Sequence, residues 1–289
     1  MIIPSPNIVL YGSGLFGRNV PLNQSQLAQL QASGFTTVIL WTLHVYPDGT
    51  LFYNDTPIAR DGVFLNTFSY LPGLLTELIT NSSVQIVLFS IGSGGAGDFG
   101  NMRAIFQQAD QGKGAALRAL EQNFRALSAA LPISGFDFDN EDDFDDSTIA
   151  RLSELLCYDN SMIVTYCPFC DQSLWNAALE KVYAWDQEHQ NPPDQSVRWW
   201  NLQCYSGGQG NDPVSWAQAL PNGAGIKDKA AFIVPGFGTD QSPASIQQQF
   251  AQYAGTGIDG GFIWNSGDLF ATQYSPTQYA QAILKGLQG

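Results

Sequence analysis

Three acidic side chains alternate with non-acidic ones in Ser134-Gly135-Phe136-Asp137-Phe138-Asp139-Asn140-Glu141. In a β-strand the side chains at i, i+2 and i+4 share one face. Asp137, Asp139 and Glu141 therefore form a row, with neighbours roughly 7 Å apart. Lining up like charges is costly in a core, and an apolar lead-in, Leu131-Pro132-Ile133, runs straight into this row. The pattern predicts chemistry at the C-terminal end of a strand, where barrel active sites lie. Crowded carboxylates in unequal surroundings are suited to general acid–base work. The same oxygens offer ligands to Mg²⁺, the lesser alternative. An EF-hand is excluded: counted from Asp137 it needs Gly at the sixth position and Glu at the twelfth, where Asp142 and Thr148 stand. The further acids Asp142, Asp143, Asp145 and Asp146 read as a solvated loop and the first turn of a helix, where negative charge is favoured.

The elements that must hold this row are legible as alternation. Short apolar runs at 7–11, 36–43, 84–91, 133–139, 162–167, 198–205, 231–235 and 260–264 are nearly continuous in Val, Ile, Leu and aromatics. Strands buried on both faces of a parallel sheet look like this. Helical stretches lie between them at 24–32, 64–78, 114–131, 147–156, 173–187, 215–220, 245–253 and 277–287, several opening after Ser, Thr or Asp. Leu117, Leu120, Phe124 and Leu127 show the helical spacing clearly. Eight strand–helix units in order predict an α/β fold, a single (β/α)8 TIM barrel, as one domain over residues 1–289. The competing dinucleotide-binding sheet is disfavoured. Gly12-Ser13-Gly14-Leu15-Phe16-Gly17 approaches its fingerprint, but Arg18-Asn19-Val20-Pro21 opens no helix and the next acid is Asp48.

Lys plus Arg is 12 against 26 Asp plus Glu, a net charge of −14. That balance argues against nucleic-acid or anionic-membrane partners and suits a neutral or cationic polymer. No run is long and apolar enough to span a bilayer. Met1-Ile2-Ile3-Pro4-Ser5-Pro6 shows no basic segment and no long apolar stretch, so no leader is expected in it, and the cellular location stays open. Cys167-Pro168-Phe169-Cys170 is a C-x-x-C, which in general signals redox activity or half a zinc site. Only Cys157, Cys204 and two distant His remain as partners, so free or structural cysteines near a barrel rim are preferred to a disulfide, and both to a metal.

The acidic octet resembles the Asp-Gly-x-Asp-x-Asp-x-Glu signature of glycoside hydrolase family 18, the chitinases and endo-β-N-acetylglucosaminidases. Gly135, Asp137, Asp139 and Glu141 match, and Ser134 stands where the family has its first Asp. The resemblance continues at other strand ends. Ser90-Ile91-Gly92-Ser93-Gly94-Gly95 is similar to the family's Ser-x-Gly-Gly, with Ser93 for the second Gly. Cys167-Pro168 matches the proline-containing segment of the plant-type members, and Gln203-Cys204-Tyr205-Ser206 resembles Gln-x-Tyr-Asn with Ser206 for Asn. Gly260-Gly261-Phe262-Ile263-Trp264 resembles the family's final Gly-Gly-x-x-x-Trp element. The chain looks closest to the plant class III and bacterial single-domain type.

The resemblance implies an active monomeric glycosidase without metal or organic cofactor, cleaving β-1,4-linked N-acetylglucosamine in an oligo- or polysaccharide. Hydrolysis would be retaining and substrate-assisted. Glu141 would be the general acid, with a raised pKa, and Asp139 would orient the 2-acetamido N–H. Asp137 would be coupled to Asp139, and Tyr205 would hold the acetamido carbonyl. Trp264 would floor the sugar, Gln203 would support substrate binding, and Gly92 would let the backbone approach it. Tyr11 and Trp41, at the first two strand ends, would add walls. His44 has no carboxylate in the motif region to pair with and reads as a loop residue. Two alternatives stay open: endo-β-N-acetylglucosaminidase action on N-glycans, and a non-catalytic chitinase-like lectin or inhibitor. Peptidoglycan also remains a possible substrate.

Overall fold

The computed structural model describes residues 2–18, 24–159, 161–189 and 196–289. Eleven strands occur in these residues: β1 (Asn7–Ser13), β2 (Thr37–Val45), β3 (Leu51–Tyr53), β4 (Thr56–Arg60), β5 (Val63–Phe64), β6 (Ile86–Ile91), β7 (Gly135–Phe138), β8 (Ile163–Tyr166), β9 (Val197–Gln203), β10 (Ile233–Gly238) and β11 (Gly260–Trp264). Eight of them, β1, β2 and β6 to β11, pair in parallel around a ring, and β1 closes it by pairing with both β2 and β11. Each of the eight apolar runs read from the sequence supplies one barrel strand.

Helices alternate with these strands: α1 (Gln24–Gln31), α2 (Leu71–Ile79), α3 (Asp98–Asp110), α4 (Ala115–Ala130), α5 (Asp146–Glu154), α6 (Gln172–Glu188), α7 (Pro213–Gln218), α8 (Pro243–Ala251), α9 (Ser266–Ala271) and α10 (Pro276–Gln288). Side-chain caps set several starts. Asp145, Asp171, Asp212, Ser242 and Ser275 each accept a backbone N–H from the first turn of their helix. The result is a (β/α)8 barrel. No helix among the described residues is long and apolar enough to cross a membrane.

Two elements differ from the sequence reading. The helix expected over 64–78 begins only at Leu71, because residues 51–64 form the antiparallel meander β3–β4–β5 on the edge of β2. Asp61 and Gly62 both have positive φ and join β4 to β5 as a two-residue loop, a turn chemistry that Asp-Gly announces. The second is α3, which occupies a stretch to which no element was assigned from the sequence and buries Phe99, Met102, Ile105 and Phe106.

Strand alternation builds two cores. Ile8 and Leu10 of β1 face the helices, whereas Val9 and Tyr11 face the barrel interior with Ile39, Leu88, Trp199, Val234 and Phe262. In β7 the same period sends Phe136 and Phe138 outward, against Phe124 and Phe99, and leaves Asp137 pointing inward.

Candidate active site

Asp137 lies across from Ser90 of β6 and Thr165 of β8 and has no exposed surface. Four strands donate to it. The Tyr11 hydroxyl (2.8 Å) and Ser90 hydroxyl (3.0 Å) reach Oδ2, and the Thr165 hydroxyl (2.6 Å) and Asn201 amide (2.9 Å) reach Oδ1. Trp199, inside the barrel, donates its indole N–H to Asn201 Oδ1 at 2.9 Å and fixes which way that amide faces. Both Asp137 oxygens are occupied by O–H and N–H donors, which is poor preparation for the Mg²⁺ alternative. Among the described residues no three His, Cys, Asp or Glu side chains stand together as a metal set.

Asp139 follows β7, held by its backbone N–H on the Ile91 carbonyl (2.9 Å). It is 4% exposed. Trp41 donates its indole N–H to Oδ2 at 2.9 Å, and the Gln203 amide donates to Oδ1 at 3.1 Å. The same Gln203 nitrogen donates to Glu141 Oε1 at 2.9 Å. Glu141 is the outermost of the three and half-buried. The expected row is therefore present, running from the barrel interior to its C-terminal mouth, with Gln203 joining the upper two acids.

Burial drives the electrostatics. It raises the Asp137 carboxyl above the ordinary range, against the pull of its four donors. Burial raises Asp139 well above that range, and the Glu141 charge adds to it; the Trp41 N–H opposes, and Asp137 contributes a smaller push. Cys167 sits in the barrel interior beside these acids rather than at the rim, and burial together with Asp139 and Asp137 keeps its thiol protonated. All four cysteines are free.

Trp264 ends β11 as a half-buried platform. Tyr205 stacks alongside it (centroids 6.2 Å, planes at 21°), and Trp41 meets it edge-on at 5.0 Å. The Tyr205 hydroxyl has no hydrogen-bond partner among the described residues, and burial and the neighbouring acids raise its pKa well above the phenol value. Two expected contacts need correction. Tyr11 is fully buried with its hydroxyl on Asp137, so it supports an acid and walls nothing. Gly92 is small for a different reason. Its φ is +99°, and a Cβ there would stand 2.5 Å from the Asp139 carbonyl oxygen, so it lets β6 end against Asp139. Gly94 is the residue facing the acid, since a Cβ there would come 2.9 Å from Glu141 Oε2.

The acid run divides as expected into a loop and the first turn of α5, but its carboxylates also make specific contacts. Asp142 accepts the backbone N–H groups of Gly95 (2.7 Å) and Gly97 (3.2 Å), which ties the glycine loop down beside Glu141. Asp143 pairs with Arg103, Asp145 caps α5, and Asp146 pairs with Lys181. His44 does have a carboxylate partner: its Nδ1 lies 2.9 Å from Asp98, which also accepts the Val45 N–H. Thr165 and Asn201 are site residues that the sequence reading did not single out, and Ser90 was read only as part of the glycine-loop motif. Ser90 and Thr165 carried a signal, as lone polar residues inside otherwise apolar strands, whereas Asn201 shares β9 with Arg198 and Gln203. Of the three departures from the resemblance, Ser134 lies below Asp137 at the start of the strand, where its carbonyl accepts the Ile163 N–H. Ser206 takes a positive φ of 40° in the turn after β9, a conformation Asn tolerates better than most residues. A separate cavity of about 280 Å³ opens at the N-terminal end of the barrel near Asn7 and Arg198, on the opposite side from the acids.

In sequence, no family model and no curated protein matches the chain. In structure, the fold is that of the glycoside hydrolase family 18 chitinases and chitinase-like proteins. The catalytic domain of a hyperthermophilic chitinase from Pyrococcus furiosus superimposes with a TM-score of 0.64 at 10% identity, covering 98% of this chain and 96% of that one. The family 18 chitinase ChiB from Flavobacterium johnsoniae gives 0.59 at 13% identity, covering 97% and 93%. YKL-39, solved in the presence of chitooligosaccharides, gives 0.63 at 10% identity, covering 98% and 100%.

Proposed function

We propose that the protein is a chitinase-like glycoside hydrolase that cleaves β-1,4-linked N-acetylglucosamine by a retaining, substrate-assisted route. The observation that carries this reading is the Gln203 amide bridging Asp139 and Glu141, with Trp41 donating to Asp139 and meeting Trp264 edge-on. The fold shared with family 18 chitinases supports it. In the proposed reaction Glu141 delivers its proton to the leaving glycosidic oxygen. The carbonyl oxygen of the substrate's own 2-acetamido group attacks the anomeric carbon from the opposite face, giving an oxazolinium ion and a free alcohol. Asp139 accepts the acetamido N–H and stabilises the positive charge that develops there, while the Tyr205 hydroxyl, which has no partner among the described residues, donates to the carbonyl oxygen. Glu141, now ionised, takes a proton from water, which opens the ring with net retention.

The charges of the two upper acids are linked. The charge on Glu141 is one cause of the raised Asp139 carboxyl, after burial, so removing that charge favours the ionised Asp139 that the first step needs. Asp137, with all four donors satisfied, is a fixed support beneath Asp139.

Incubating the protein with soluble chitooligosaccharides and with a high-mannose glycopeptide, and reading products by mass, tests the assignment. Cleavage of the chitooligosaccharides, lost by a factor of about 10²–10⁴ in Glu141→Gln, supports it. Cleavage of the glycopeptide alone would reassign the substrate to N-glycans. Binding of chitooligosaccharides without cleavage would make the protein a lectin.

A further inference from the structure

Asn140 stands between the two upper acids and is itself buried, at 1% exposed. Its Oδ1 accepts the backbone N–H groups of Asp143 (3.1 Å) and, at longer range, Asp142 (3.4 Å). Its Nδ2 donates to the Asp143 carbonyl at 2.6 Å. The chain leaving β7 is thereby folded into an Asx-type turn that carries Glu141. The next residue fixes where this turn lies. Asp142 Oδ1 accepts the Gly95 N–H at 2.7 Å and Oδ2 accepts the Gly97 N–H at 3.2 Å, so one carboxylate spans the loop between β6 and α3. Gly94 immediately precedes that anchor and stands against the acid, since a Cβ there would lie 2.9 Å from Glu141 Oε2. Glu141 Oε1 accepts the Gln203 amide. One oxygen is thus held from β9, and the other is left to carry the proton against the bare backbone of the glycine loop.

We propose that Asn140 and Asp142 are positioning residues for Glu141. Asn140 sets the turn, and Asp142 holds the glycine loop at the distance that aims Glu141 Oε2 at the leaving oxygen. The inference rests on the reading of Glu141 as general acid and adds how its carboxyl is aimed. Neither positioning side chain touches the substrate or exchanges a proton. Their effect is geometric, and a misplacement of about 1 Å in a reacting group can cost about 10² in rate.

The test compares kcat/KM on two substrates, N-acetylchitotetraose and the dinitrophenyl β-glycoside of di-N-acetylchitobiose. A sugar leaving group needs a proton as the bond breaks, whereas dinitrophenolate departs as a stable anion. A misaimed acid therefore lowers the first rate far more than the second, and a general loosening of the barrel mouth lowers both alike. Glu141→Gln gives the full change in the ratio of the two rates. Asp142→Ala should shift that ratio in the same direction by about ten-fold. Asp142→Asn keeps one acceptor oxygen and should shift it less, and Asn140→Ala should follow Asp142→Ala. Asp142 is at the surface, so its variants decide the question should Asn140→Ala not fold. Equal losses on both substrates in the Asp142 variants, with Glu141→Gln still selective, overturn the proposal and leave the glycosidase reading standing. Equal losses in Glu141→Gln as well, or no cleavage of either substrate by the wild type, remove the general acid and the proposal with it.

Discussion

Asp139 is the carboxylate under greatest charge stress, and the Trp41 indole N–H is what restrains it. Trp41→Phe keeps the ring and removes that N–H. Asp139 must be ionised to accept the acetamido hydrogen, so the acid limb of the kcat/KM profile should move to higher pH. An unmoved limb would detach Trp41 from the chemistry. Glu141→Gln works in the opposite direction, because it deletes a charge that raises Asp139. A carboxyl whose folded pKa is raised lends its stability below the ordinary carboxylate range, near pH 4, and loses it as pH climbs through the raised value. The variant should therefore be more stable than wild type near pH 7, by on the order of 1 kcal/mol in urea unfolding. The gap should close as pH falls toward about 4. A variant less stable than wild type at neutral pH would contradict this balance. Lower in the barrel, Tyr11→Phe leaves Asp137 one donor short and should cost about 1–2 kcal/mol in urea unfolding.

At the scale of elements, the acids depend on how closely β7 approaches its neighbours. A Cβ at Gly135 would overlap the Ile163 carbonyl of β8, so the glycine sets the strand spacing just below Asp137. Gly135→Ala should cost about 3 kcal/mol or more, seen as a large fall in Tm. A near-normal Tm would show that β7 and β8 can separate without loss. The eight barrel strands were readable because both faces of each are largely buried and their apolar runs are nearly continuous. The meander at 51–64 was not, since its three strands are short, lie on an edge and mix polar with apolar positions. The acid row was legible because period two is a local property of the chain. The four donors to Asp137 come from strands as much as 126 residues away, and only the closed ring brings them together. Asp142 shows the same limit, since nothing in its sequence context announces that it clamps Gly95 and Gly97 from another strand's loop.

For the whole molecule, a net charge of −14 spread over a compact barrel means that the folded state repels itself. Raising NaCl from about 0.01 to 0.15 M shortens the screening length from about 30 to 8 Å and should raise Tm. A fall in Tm over that range would show that paired charges such as Asp146–Lys181 outweigh the repulsion. The same negative field repels polyanions. The barrel delivers to one mouth an acid at the rim, a second acid beneath it on a shared amide, and an aromatic floor. In the proposed reaction the substrate's acetamido group, and no protein carboxylate or water, attacks the anomeric carbon. Proton NMR of a chitooligosaccharide in the first moments after enzyme is added distinguishes these nucleophiles. The new reducing end should appear first as the β-anomer and drift to equilibrium afterwards. Initial appearance of the α-anomer would make water the direct nucleophile and overturn the substrate-assisted route.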